Sequence, residues 1–516
     1  MNLSIELAEP TMLGWLTAYG LDAEYVRSSG NTLFAKQSDG SERPVLDFAG
    51  GYGSVLLGHN HPELVALARE LFAQGTPIHA QFSRHPYAND LANRLNTILH
   101  REFGVSEPYY AVFANSGAEA IEAAVKHAEL DRVYKVRAAV EAAETALDEA
   151  RAAVAAGATV AEDVYRALDV PQGDFPALLA EVSRVNAELA TRQPVFLSLE
   201  SGFHGKLVGS VQLTHNPTYR TPFGALARPS RFVPFNQPGT VRKVLDEERV
   251  SLHELVVTDG VVRLAERELP VVTAFLLEPI QGEGGIRELS AEFAREIAEA
   301  CEEVGVPVVI DEVQSGMGRT GAFFASSQIG LRGDYYALSK SLGGGVAKAA
   351  VMLVREKFYR GDFELVHSST FAKDSFSTTI AGKVLDLLEA DDGRAYRRAA
   401  ELGDQLTAML ESIRADHPDL VKEVRGRGLM LGLEFHDQSA SPSPAIAEQA
   451  TAGMLGYAIA GFLLREHAIR TFPTASATNT LRFEPSLQLT DEEITRLETG
   501  LRAAVEVLRS PSGRLV

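Results

Sequence analysis

The sequence predicts an α/β protein with a large domain around a mostly parallel sheet and a smaller α+β domain built from both ends of the chain. Two observations predict it. Short apolar, β-branched runs alternate with helical patterns through the middle of the chain, as buried parallel strands do. The two ends mix short strand and helix pieces, with no repeats and no low-complexity linker between them and the middle. The expected division is 1–60 for the first piece of the small domain, 61–375 for the large domain and 376–516 for the rest of the small one.

Composition sets the class. At 516 residues, with 45% hydrophobic and 23% charged content, the chain reads as an ordinary water-soluble globular protein of more than one domain. Its net charge of −20 argues against nucleic acid or an anionic membrane as a partner. The single cysteine, Cys301, excludes an intrachain disulfide, suits a reducing compartment and falls in a helical pattern as a small core residue. The opening Met1–Leu7 has no basic start and no long apolar run, and no stretch reaches transmembrane length. A cytoplasmic location is expected, and no metal site.

In chain order, Leu33–Lys36 and Val45–Phe48 read as a hairpin around Asp39-Gly40. Gly50-Gly51-Tyr52-Gly53-Ser54 lets backbone pass close to a neighbour and offers a ring and a hydroxyl, and Pro62 opens a helix through Leu64, Leu67 and Leu71. Tyr110–Phe113 is a strand that turns at Asn115-Ser116-Gly117-Ala118-Glu119 into a helix. Ser116 and Glu119 have capping-box spacing, and the free N–H groups of such a helix start form an anion site suited to a phosphate. Residues 132–192 predict a helical hairpin standing off the main fold, broken at Gly157 and again at Pro171-Gln172-Gly173. Pro194–Leu199 returns as a strand and leads to Gly202-Phe203-His204-Gly205, where an aromatic ring beside glycine can lie flat on a cofactor. Ala274–Leu277 is a buried strand ending in Glu278, followed by Gln281-Gly282-Glu283-Gly284, an acid between glycines. Towards the end, Thr480-Leu481-Arg482-Phe483 places an arginine inside an apolar strand, where a guanidinium needs a carboxylate partner. Thr490 then caps the last helix.

The chemistry centres on Asp311-Glu312-Val313-Gln314 and Ser339-Lys340. Val306–Ile310 reads as a buried strand, so Asp311 falls at its carboxyl end, where open α/β sheets bind ligands. Lys340 lies between small residues and the run Gly343-Gly344-Gly345, open to close approach. An acid and an approachable lysine point to a carbonyl cofactor: the lysine forms a Schiff base and the acid keeps a ring nitrogen protonated.

Six motifs in order then resemble one family. Asn115–Glu119, Gly202–Gly205, Glu278–Glu283, Asp311–Gln314, Ser339-Lys340 and Ser369-Thr370-Phe371 look like those of class III pyridoxal-phosphate-dependent aminotransferases, such as the ornithine, acetylornithine and 4-aminobutyrate enzymes. The resemblance implies the fold-type I architecture and pyridoxal 5′-phosphate as cofactor. It implies that Lys340 carries the cofactor and shuttles a proton, and that Asp311 pairs with the pyridinium nitrogen. Phe203 and Val313 would sandwich the ring, Gln314 would bond its phenolic oxygen, and Ser116, Gly117 and Ala118 would hold the phosphate. His204 and Glu278 are counted with the cofactor residues. Thr370 would reach the cofactor phosphate of a partner subunit, making a homodimer the active unit. Arg482 would bind a substrate carboxylate, Glu283 would cover Arg482 when an ω-amino substrate is present, and Tyr52 would contact the substrate.

That pairing implies a two-substrate cycle. A primary amine or aldehyde exchanges its amino group with an amino acid/keto acid pair such as glutamate/2-oxoglutarate. The same fold also hosts decarboxylation, racemisation, aminomutation and phospholyase chemistry, which begin from the same cofactor bond. A non-catalytic scaffold is argued against by the intact Lys340 and Asp311. The chain departs from the family pattern at Ala372-Lys373-Asp374-Ser375, where glycines, asparagine and proline are usual, and in the 132–192 insertion. Both departures imply a member from a specialised biosynthetic pathway, with the insertion a packing elaboration, a dock for a carrier protein or a cover for a bulky substrate.

Overall fold

The structure, a computed structural model, describes residues 6–80 and 82–516. Most of the opening stretch read above for a leader, Met1–Ile5, lies outside the described residues.

The centre is a seven-stranded sheet in the order Tyr109–Ala114, Ala350–Arg355, Tyr335–Leu338, Val308–Asp311, Val272–Leu277, Val195–Leu199, Arg231–Val233. Ala350–Arg355 runs antiparallel to both neighbours and the other contacts are parallel, so the sheet is mostly parallel as expected. Its inner strands are apolar on both faces because both faces are covered. Phe275, Leu277, Val308 and Ile310 enter the main core, while Leu276 and Val309 meet Ala120, Ile121 and Ala124 of the helix Gly117–Ala155. Parallel pairing, with Tyr109–Ala114 running the same way across the one antiparallel strand, aims these carboxyl ends at one rim, which collects residues 115–118, 200–205, 278–283, 311–314 and 339–340.

The termini come together. Tyr25–Ser29, Thr32–Lys36 and Glu42–Asp47 form an antiparallel sheet, with the expected hairpin between its last two strands, and Ile469–Arg470 adds to Glu42–Asp47 in parallel. A second sheet, Val421–Arg427, Met430–Phe435, Thr480–Phe483 and Phe472–Pro473, is antiparallel. Cys301 is buried in the helix Ala291–Glu303. Among the described residues, no helix is long and apolar enough to cross a membrane and no acid, histidine or cysteine cluster could hold a metal.

Residues 132–192 hold the two expected helices, one ending at Ala155 before Gly157 and one spanning Phe175–Ala190 after Pro171-Gln172-Gly173, but these do not stand as a hairpin on their own. The helix that starts at Gly117 runs unbroken for 39 residues to Ala155, since no glycine or proline interrupts it before Gly157. At ~1.5 Å per residue it outreaches the central sheet. Its far half needs another surface, which the antiparallel hairpin Val250–Thr258/Val261–Leu269 supplies around Asp259-Gly260, a pair unread in the sequence. Thr159–Val160 joins that hairpin as a third strand. Ala139, Ala143, Leu147, Ala150, Leu178 and Val182 pack on Leu252, Leu255, Val262 and Leu269, so the insertion is a small α/β unit with its own cores.

The open edge of that unit is closed by a side chain. Asn186 accepts from His253 N at 2.8 Å and donates to His253 O at 2.8 Å, replacing a neighbouring strand. Asn186→Ala should leave both groups unpaired and cost this unit about 1–3 kcal/mol. Hydrogen exchange should then quicken along Val250–Thr258 and stay unchanged along Val308–Asp311.

Candidate active site

The rim encloses a cavity of about 710 Å³, lined among others by Ser116, Gly117, Ala118, Phe203, His204, Glu278, Glu283, Asp311, Val313, Gln314 and Lys340. Eleven of the residues singled out in the sequence therefore meet in one space. Asp311 is buried at the end of its strand. Its Oδ2 lies 2.9 Å from His204 Nδ1, and its Oδ1 accepts from Val313 N at 3.1 Å. A carboxylate has about four acceptor sites, so two remain for a ring N–H. His204 is wholly buried and backs Asp311; burial disfavours its charge, but Asp311 wins and raises its pKa. Glu312, on the opposite face of the strand, is spent on structure, accepting from Ser315 Oγ at 2.6 Å and Ser326 N at 2.8 Å.

Glu278 is no solvated loop charge. It accepts from Phe203 N at 2.8 Å and Gly282 N at 3.2 Å and so braces both turns, while burial pushes its carboxyl up to about 7. Ser116 caps the long helix, accepting from Glu119 N at 3.3 Å. The expected capping box is only half made, because Glu119 reaches one residue further back and accepts from Asn115 N at 2.8 Å. Gly117 is required here: a Cβ on it would stand 2.7 Å from Val313 Cγ1.

Lys340 takes a left-handed backbone (φ 47°), a strained conformation for lysine that aims it off the strand end. Burial pulls its ammonium below the ordinary lysine range, and the carboxylates of Glu484 and Glu283 oppose the drop. Glu484 escaped the sequence reading. It follows Arg482 by two residues on one strand, the same-face spacing that could have found it. Glu484 accepts from Gln314 Nε2 at 2.8 Å, so one Gln314 amide hydrogen is already engaged.

Arg482 is buried and forked onto Glu283, with Nη1 to Oε1 at 2.7 Å and Nη2 to Oε2. Burial would raise the Glu283 pKa, but Arg482 and the Ala475 N–H hold it below the usual carboxylate range. Beyond this pair opens a second chamber of about 950 Å³, sharing Phe203 and Glu283 with the first. Tyr52, Tyr219, Tyr457 and Phe472 line it, and Met12, Trp15 and Leu16 of the helix Pro10–Ala18 form a further wall not expected from the sequence. Tyr52 stacks on Phe472 at 5.8 Å, with the Arg482 guanidinium 4.9 Å from its ring centre.

Thr370 lines neither of these two chambers. It lies exposed on a loop that Asn115 tethers by donating from Nδ2 to Ser369 Oγ at 2.7 Å. In the departing segment after it, Asp374 is a helix cap, accepting from Ser377 N at 2.8 Å.

Residues 21–505 match the family model for class III aminotransferases. The chain belongs to that family. Its fold is also that of solved relatives. The ornithine aminotransferase of Toxoplasma gondii is 20% identical, with a TM-score of 0.68 over 98% of this chain and 96% of that one. The omega transaminase of Pseudomonas jessenii in complex with PMP is 21% identical, with a TM-score of 0.70 over 98% and 96%. The acetylornithine aminotransferase of Elizabethkingia anophelis is 21% identical, with a TM-score of 0.62 over 96% and 98%. Pyridoxal 5′-phosphate is the cofactor of this family, and the residues present suit it. A helix start lined by Gly117 and Ala118 faces the cavity, Phe203 and Val313 flank it, and Asp311 keeps two acceptor sites for a ring N–H.

The raised Glu278 pKa has a thermodynamic consequence. The folded protein binds this proton more tightly than the unfolded chain, so stability falls as pH rises from 4.5 through about 7. A shift from 4.5 to about 7, at ~1.4 kcal/mol per unit, is worth about 3 kcal/mol. Denaturant unfolding of the cofactor-free protein across that window should show this slope, and Glu278→Gln should make it shallower but not flat, because Glu312, also pushed up to about 7 by burial, keeps its share.

Proposed function

We propose that this aminotransferase moves an amino group between an amino acid/keto acid pair of the glutamate/2-oxoglutarate kind and a primary amine or its aldehyde or ketone. The observation that carries this reading is the Glu283/Arg482 fork. A buried guanidinium without a partner costs several kcal/mol, so a site that sees only neutral or cationic amines has no use for one. With an amine in place, Glu283 neutralises Arg482; with an α-keto acid, the substrate carboxylate takes that place and Glu283 turns away.

Bound pyridoxal phosphate supplies a carbonyl for the amine and a ring that accepts the electron pair left on the substrate carbon. The chain's residues do the rest. Asp311 holds a proton on the ring nitrogen and is itself aligned by His204 and the Val313 N–H. Ser116, Gly117 and Ala118 would present N–H groups to the cofactor's phosphate, and Phe203 and Val313 would hold its ring. Lys340 Nζ, eased towards its neutral form by burial, holds the cofactor at rest and moves the proton at the substrate carbon that bears nitrogen.

The second chamber supports an amine with a bulky apolar body. Its walls are largely aromatic, and Arg470, Lys206 and Arg482 outnumber the acids Glu9 and Glu283 there, which disfavours a second ammonium. The helix Pro10–Ala18 carries no charge and buries none of its residues, leaving apolar surface for a substrate to cover. An unusual amine of this kind fits a specialised biosynthetic role. The active unit is proposed as a homodimer, with Thr370 reaching the partner's cofactor. The inserted unit stands outside this reading, including as a carrier-protein dock, because most of its apolar residues pack into its own cores.

Purified protein with pyridoxal phosphate should absorb in the visible, and borohydride should fix the cofactor on the peptide of Lys340. Label elsewhere, or no chromophore, overturns the reading. Arg482→Ala should slow conversion of the chromophore by glutamate about 10²-fold or more while an amine donor stays within several-fold. Trp15→Ala should act the other way: kcat/KM for an arylalkylamine falls about tenfold and the glutamate half-reaction is unchanged.

A further inference from the structure

We infer that Glu484 is a positioning residue of the transamination site, orienting Gln314 and supplying a buried negative charge that Lys340 shares with Arg482 and Arg319. The inference rests on the transaminase reading and adds a residue to it.

The strand Thr480–Phe483 turns Leu481 and Phe483 into the main core, and period-two alternation turns Arg482 and then Glu484 towards the site. The loop Gly50–Gly53 wraps over Glu484 with φ between 53° and 85° at all four residues. The approach is so close that a Cβ on Gly50 would stand 1.9 Å from Glu484 O. Glu484 is fully buried. One carboxylate oxygen takes Gln314 Nε2, and the other has no hydrogen-bond partner. Arg319, also fully buried, donates to the carbonyls of Leu429, Pro485 and Gly53 and leaves Nε without one. The two meet around Gly53, whose Cβ position is 3.3 Å from Glu484 Oε1 and 3.4 Å from Arg319 Nε.

A glutamate needed only for packing would not leave an oxygen unsatisfied, since an apolar residue of similar volume avoids that cost. Its charge has a use nearby. Lys340, Arg319 and Arg482 each lose solvation by burial, and Glu484 favours the charged form of all three. Its bond to Gln314 also decides which way that amide points. The nitrogen is held towards Glu484 and the oxygen is set against Gly282, whose Cβ position is 2.0 Å away. Without Glu484 the two ends of the amide become interchangeable, and the face that Gln314 presents to the cavity is no longer fixed.

Glu484→Gln separates the two effects, because an amide oxygen still accepts from Gln314 while the charge is gone. In cofactor-free protein, the pH profile of Lys340 acylation by an amine reagent, followed by mass spectrometry, should move down by about one unit, tenfold in proton affinity. In protein loaded with pyridoxal phosphate, the pH midpoint of the visible absorbance should move the same way. Glu484→Asp, which keeps the charge one methylene further back, should shift both less. If Glu484→Gln does not fold, Glu484→Met, apolar and of similar length, removes the same charge, and unmoved profiles in it overturn the inference. Unmoved profiles in a folded Glu484→Gln overturn it too. If wild type gains no chromophore, the transaminase reading fails instead, and the acylation profile still decides whether Glu484 acts on Lys340.

Discussion

A charge cannot be buried in this protein unless something answers it, and the site is organised around that constraint. Asp311 sits at the end of a strand whose preceding residues are wholly apolar, inside a sheet covered on both faces. There it needs donors, and His204 and the Val313 N–H supply them. His204 lies on the turn after Val195–Leu199, two strands away, which Glu278 holds by taking Phe203 N. Glu278 in turn follows the strand between them. Three adjacent carboxyl ends are thus tied together by three ionisable groups, and the pocket floor is the by-product of satisfying them.

The opposite wall follows the same logic from the far end of the chain. Thr480–Phe483 cannot put Leu481 and Phe483 into the core without turning Arg482 and Glu484 the other way. Arg482 finds Glu283, and Glu484 finds Gln314. Each link joins the C-terminal sheet to the rim of the central one, so the domain built from the termini is fastened to the large domain through the residues that face the substrate. The loop Gly50–Gly53 closes the remaining gap: its Gly53 carbonyl accepts from Ser341 Oγ at 2.6 Å and from Arg319 Nη2 at 3.2 Å.

Local chemistry was legible in the sequence where residue type and position coincide. Asp311 after Val308-Val309-Ile310, Ser116 before a helix and Arg482 in an apolar strand each carry a physical demand that only one kind of neighbourhood meets. What escaped is long-range. Glu484 gains its meaning from Gln314, 170 positions earlier. The helix Pro10–Ala18 gains its meaning from a chamber assembled by four distant segments. Other misses had local signals. Nothing between Gly117 and Ala155 breaks a helix, so the insertion had to begin as an extension of the phosphate-turn helix. Asp259-Gly260 between alternating runs was a hairpin signal that made the rest of that unit readable.

The structure constrains how the proposed Glu283 switch could work. Glycines on both sides suggest a loop that bends, yet here they mark crowding. A Cβ on Gly282 would lie 2.0 Å from Gln314 Oε1, and one on Gly284 would lie 2.6 Å from Ser201 O. The backbone around Glu283 is therefore wedged against Gln314 and the Ser201 turn, and Gln314 is itself held by Glu484. Arg482 is no freer: it donates to Pro473 O at 3.2 Å from inside a paired strand. The element left to yield is the Glu283 side chain, which borders the open chamber and gives up only Arg482 and the Ala475 N–H on leaving. On the proposed function, a rotamer change there would exchange one carboxylate for another at Arg482 without moving either domain, and the site would alternate between its two substrates on a fixed frame.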